Sequence, residues 1–107
     1  MVTVFFMYKS EPGRKFDMDY YLNVHGPRVE ELLDPKIKGL MKSNKRHKGL
    51  SPGKPDSLPS YFMITEVTCD TLDDAYKVTN ALRDLPSDMH LYADAPPIVI
   101  MCETIDP

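Results

Sequence analysis

The chain has no run approaching the roughly 20 apolar residues that a helix needs to cross a bilayer, so none of it reads as a membrane-spanning helix. It has only two cysteines, Cys69 and Cys102, without CxxC spacing. Both sit in apolar stretches, which suits small buried thiols better than a redox pair or a metal clamp. Three histidines and no HExxH pattern leave the usual metal-ligand spacing absent. There is no Gly-rich loop opening a helix and no aromatic interleaving of the basic residues, so the common routes to phosphate and nucleic-acid recognition are missing. The chain starts directly in strand-like residues rather than in a charged and then apolar leader, and the expectation is a soluble, cytoplasmic protein. We expect no cofactor, no metal, no nucleic acid and no membrane partner.

What is present is one domain's worth of chain: 107 residues with a net charge of −3. The charge is uneven. Lys36, Lys38, Lys42, Lys45, Arg46, Lys48 and Lys54 follow one another without an acidic residue between them, leaving the rest of the chain strongly acidic. If this tract supplies a strand at a sheet edge, its lysines discourage unwanted strand pairing.

"VTVFFMY", Val2 to Tyr8, is β-branched and aromatic and ends in the turn residues "SEPGRK", so it reads as a strand. A helix follows from about Asp17 to Leu33, capped by Asp17, with Tyr21, Leu22, His25, Val29 and Leu32 at three-and-four spacing. Asp34-Pro35 stops it. "IKGLMKSNKRHKGL" supplies a polar second strand, "YFMITEVTC" a third, and "DTLDDAYKVTNALRDL" a second helix with a Leu72, Ala75, Tyr76, Thr79, Leu82 stripe. "IVIMCETI" closes the chain as a fourth strand. The order β-α-β-β-α-β predicts an α+β, ferredoxin-like fold with helices on one face of an antiparallel sheet ordered 4-1-3-2. In that order Cys69 and Cys102 lie about two strand spacings apart, roughly 10 Å, too far for a disulfide. Strands one, three and four carry apolar residues on both parities, so their second face needs a cover, and a homodimer packed sheet on sheet is the simplest one.

One stretch, "FDMDYYLNVHGPRVEELL", sets a histidine, a glycine and a proline inside a helix. Pro27 has no N–H and Gly26 lowers helix preference, so a kink is expected just past His25, re-aiming its ring from a half-buried position. A half-buried neutral imidazole suits general-base work near neutral pH. The alternative is a histidine bonded to a carbonyl that Pro27 frees, serving only to pin the kink. Glu66 and Glu103 interrupt apolar strands and read as outward-facing, while His47 and His90 read as solvent-facing.

This stretch, with its Phe-Asp start, paired tyrosines and histidine two residues before a proline, resembles the signature of the EthD family of dimeric α/β-barrel proteins. "LPSDMHLYADAPPIVIMCETI" is similar to that family's closing loop and last strand. The resemblance covers nearly the whole chain. It implies a barrel-like cavity between the two sheets of a dimer, among relatives that span ether-degradation accessory proteins, muconolactone-type isomerases, cofactor-independent oxygenases and fungal polyketide dehydratases. Some related barrels bind haem through a histidine, a reading we place last. The resemblance puts Tyr92 near the cavity mouth. The expectation is a small hydrophobic cyclic or aromatic molecule as ligand, with His25 as proton shuttle and Tyr92 or Tyr21 polarising an oxygen. The competing expectation is a non-catalytic accessory or carrier protein using the same cavity.

Overall fold

A computed structural model describes residues 1–105. Its element order is β1 (Val2–Lys9), α1 (Met18–Tyr20), a π-helical turn (Tyr21–His25), α2 (Gly26–Leu32), α3 (Pro35–Lys38), β2 (Ser43–Lys48), β3 (Tyr61–Cys69), α4 (Leu72–Asp84), a 3-10 turn (Met89–Leu91) and β4 (Ile98–Glu103). The four strands form one sheet in the order β2-β3-β1-β4, every neighbour antiparallel. This is the ferredoxin-like order expected from the sequence, read from the other edge.

The turn after β1 depends on backbone chemistry. Pro12 and Gly13 occupy its centre, Gly13 has φ 79°, and Arg14 N–H donates to Glu11 O at 3.0 Å, the pattern of a type II turn. The β2–β3 connection depends on a close approach: a Cβ added to Gly49 would lie 1.5 Å from the Tyr61 carbonyl oxygen, so only glycine fits. Helix starts follow side-chain chemistry. Asp17 accepts from Tyr20 N–H at 3.0 Å, Thr71 from Asp74 N–H at 3.1 Å, and Asp34 from Lys36 N–H at 2.8 Å. Asp34-Pro35 therefore both ends α2 and starts α3, with Pro35 in the first turn where a missing N–H costs nothing.

Two buried clusters sit on the helix-covered face. Val2, Val4, Val67 and Cys69 of the sheet meet Ala75 and Val78 of α4, with Ile37, Leu40 and Met41 packed alongside. Tyr8, Tyr21, Met63, Tyr92 and Ala93 form the second. A side chain such as Val4 or Met63, fully removed from water, contributes about 1.5–3 kcal/mol.

Four sequence expectations need correction. The stretch 37–50 is not all strand, because Ile37, Leu40 and Met41 fold back onto the first cluster from α3 and the turn after it, and pairing starts only at Ser43. The stripe on α4 runs through Ala75, Val78 and Thr79; the small Ala75 lets the helix rest close to the sheet, and Leu72 and Tyr76 fall outside, 48% and 51% exposed. The first helix is not uniform: Gly26 N–H donates to Tyr21 O in a π-type bond, so the irregularity lies at and before His25, not beyond it. The extra residue in that turn swings Leu22 and Leu32 out of the buried stripe. Cys102 is exposed, because it lies beside Thr3 on the face that no helix covers, whereas Cys69 pairs with Val2 on the other face and is buried. Both thiols are free.

Candidate functional site

Between the helices and the sheet lies a half-open cleft of about 780 Å³, within the span of small-molecule sites, about 300–1,000 Å³. The cleft is bounded by the π turn and α2 on one side, the last turn of α4 and the closing loop on another, and β1, β2 and β3 beneath.

His25 stands at its wall with its side chain 21% exposed. The π turn delivers it there, since a wider turn re-aims the residue at its end without breaking the helix. Its ring stacks on Tyr21 at 5.0 Å between centroids and meets the Tyr92 ring at 4.7 Å. His25 Nδ1 lies 2.8 Å from Asp88 Oδ1, and Asp88 is buried. Burial alone would raise the Asp88 carboxyl, but the His25 hydrogen bond and charge and the nearby Arg28 guanidinium outweigh it and hold the group below the ordinary carboxylate range. An ionised carboxylate can only accept, so Nδ1 carries the proton and donates, and Nε2 is the nitrogen left free to act as a base. The pinning role expected as an alternative is therefore drawn differently: the partner of His25 is a carboxylate from the far end of the chain, not a carbonyl freed by Pro27.

Tyr21 and Tyr92 are both brought to His25, though not as expected of a cavity mouth. Tyr92 is only 4% exposed and lines the inner wall, because the 3-10 turn Met89–Leu91 folds it beneath the first helix. Its hydroxyl shares a 2.9 Å hydrogen bond with the Tyr8 hydroxyl. Burial pushes the Tyr92 phenol up to about 12 and raises Tyr8 and Tyr21 as well, so all three stay protonated hydrogen-bonding groups at neutral pH. Tyr21 OH bonds Thr65 Oγ1 on β3, fixing the ring on which His25 stacks. Phe16 fills the gap between Tyr8, Tyr21 and Tyr92 and continues the aromatic wall to Phe62.

Asp88 and Arg28 are the residues that sequence reasoning missed. Arg28 Nη1 donates to Pro86 O at 2.7 Å and lies 3.7 Å from Asp88 Oδ1, tying α2 to the closing loop. The only signal for Asp88 was an acidic residue in a loop before a strand. His47, expected to face water, pairs with Glu66 at 2.9 Å across β2 and β3, on the uncovered face. Glu103 is exposed, as is His90. Among the described residues no group of three or more His, Cys, Asp or Glu side chains could hold a metal ion, and no helix is long and apolar enough to cross a membrane.

A family model described as the EthD domain matches residues 13–94. Among solved structures, the chain is similar to an EthD-like protein from Ralstonia eutropha, with TM-score 0.77 and 22% identity over 95% of this chain and 89% of that one. It is also similar to an ethyl tert-butyl ether D (EthD) family protein from Bacillus halodurans, with TM-score 0.66 and 15% identity over 98% of this chain and 99% of the other. At these identities the two structures speak for the fold. No curated protein matches the chain.

Proposed function

The chain belongs to the EthD family, and from that premise we propose that it is a small cytoplasmic, cofactor-independent acid–base catalyst working as a homodimer. Its substrate is a hydrophobic cyclic or aromatic molecule held in the cleft. The chemistry is of the isomerase or dehydratase kind: removal of a proton next to a carbonyl, then its return or loss of a leaving group. The observation that carries the reading is the His25–Asp88 hydrogen bond at the wall of an apolar cleft. The carboxylate sets the tautomer and stabilises the imidazolium once His25 has taken a proton, which is what a shuttle requires. A buried phenol, Tyr92 or Tyr21, donates a hydrogen bond to the substrate oxygen as negative charge develops there.

The sheet face turned away from the helices supports the dimer. Phe5, Met7, Ile64, Ile98 and Ile100 alternate onto it, with Ile98 44% and Ile100 40% exposed. A second copy laid on this face would bury it as one sheet packed on another.

Deuterium uptake tests the chemistry. In D2O, 2-tetralone, a bicyclic aromatic ketone with labile protons beside its carbonyl, should exchange faster with the protein than in buffer. His25→Ala should lose about 10²–10⁴-fold of that enhancement. A protein that binds the ketone and leaves its exchange at the buffer rate would be a carrier.

A further inference from the structure

The charged groups around the cleft do not balance. Glu30 borders it but pairs with Lys38 at 3.5 Å, and Asp88 is engaged by His25 and Arg28. Arg83 and Arg46 also border the cleft, and neither has a carboxylate within 4.0 Å among the described residues. Arg83 sits in the last turn of α4, where a cation already complements the helix end. Arg46 has no such role.

Arg46 is the one arginine in the seven-cation tract between Lys36 and Lys54. It stands opposite Thr65, the residue that binds the Tyr21 hydroxyl. Its guanidinium crosses to the first helix, with Nη1 2.7 Å from the place a Cβ on Gly26 would occupy, next to His25. It is close enough that its charge draws the Tyr21 phenol down against the burial that raises it. A lysine at this place would project a single point charge; the arginine presents a planar fork suited to two oxygens at once.

Resting on the reading of this cleft as a small-molecule site, the geometry points to a ligand that carries a carboxylate, gripped by Arg46 while its apolar body lies against the aromatic wall. The unneutralised guanidinium draws anions into one cleft of a chain whose net charge is −3. It also sets substrate orientation, with the carboxylate held beside Gly26 and the apolar body laid along the aromatic wall.

Binding of 2-naphthoate and of its neutral twin 2-naphthamide, followed by calorimetry, tests this. The acid should bind at least about tenfold more tightly than the amide, the scale of one charge-assisted hydrogen-bonded contact. Arg46→Met should erase the difference by weakening the acid alone, and Arg46→Lys should recover part of it. Arg83→Met should leave the preference in place. If the amide binds as well as the acid, and Arg46→Met changes neither, the carboxylate assignment is wrong while the cleft remains a binding site. If neither probe binds the parent protein, the assignment falls together with the reading it rests on. Should Arg46→Met fail to fold, Arg46→Lys still decides, because an anchor that needs the fork loses severalfold affinity for the acid and none for the amide.

Discussion

His25, Tyr21 and Tyr92 all stood out in the sequence as candidate site residues, because a histidine beside Gly-Pro and a tyrosine in a closing loop break the expected pattern. That they meet was not legible, and neither was Asp88, 63 residues from His25, whose partner is fixed only by the fold. The distinction has a measurable form. Since His25 bonds a carboxylate, the effects of His25→Ala and Pro27→Ala on stability should couple more weakly than those of His25→Ala and Asp88→Asn. Those of His25→Ala and Asp88→Asn should couple by about 0.5–3 kcal/mol; urea titrations of the single and double variants check both. Asp88 also predicts an acid limb. Its folded-state pKa lies below the unfolded value of about 3.9, so its contribution is complete above that value and is lost as pH falls through the folded one. Asp88→Asn should cost about 1.5–3 kcal/mol at neutral pH and flatten the fall in thermal midpoint on acidification.

At the level of elements, the positions of β1, β3 and β4 followed from β-branched runs and turn residues, which act locally. What escaped the sequence depends on packing across the molecule. The stripe of α4 held at Ala75, Thr79 and Leu82 but was widened to the wrong side, because three-and-four spacing admits Leu72 and Tyr76 as readily as Val78, and only the sheet beneath selects Val78. The π turn was missed because its cause is geometric: one extra residue accommodated within a helix already anchored at Asp17 and at Leu33, which is buried. The β2–β3 connection gives an element-scale prediction. Gly49→Ala drives a methyl into the Tyr61 carbonyl and should cost about 1–3 kcal/mol or more, as overpacking does. Met63→Ala, which instead opens a hole in the second cluster, should cost about 2–5 kcal/mol. Thermal melts of the two variants give the comparison.

For the whole molecule, two apolar faces on one sheet demand two covers, and the chain supplies helices for one. Sedimentation at micromolar concentration should find a dimer. Ile100→Lys, which sets a charge in the middle of the uncovered face, should give a monomer, since an uncompensated buried charge is among the costliest changes at an interface. Cys102 lies on the same face and supplies a second measurement: its alkylation should be slow in the parent protein and fast in the Ile100→Lys variant, with Cys69 protected in both. A parent protein that sediments as a stable monomer would leave the exposed isoleucines without a purpose.

The aromatic wall has an optical consequence. The chain has no tryptophan and six tyrosines, and three of these, Tyr8, Tyr21 and Tyr92, are in ring contact with one another and line the cleft, the last two against His25. Part of the intrinsic ultraviolet emission of this protein therefore comes from the cleft itself. An aromatic guest seated there would quench it, so occupancy can be followed by fluorescence without a label or a colour-forming substrate.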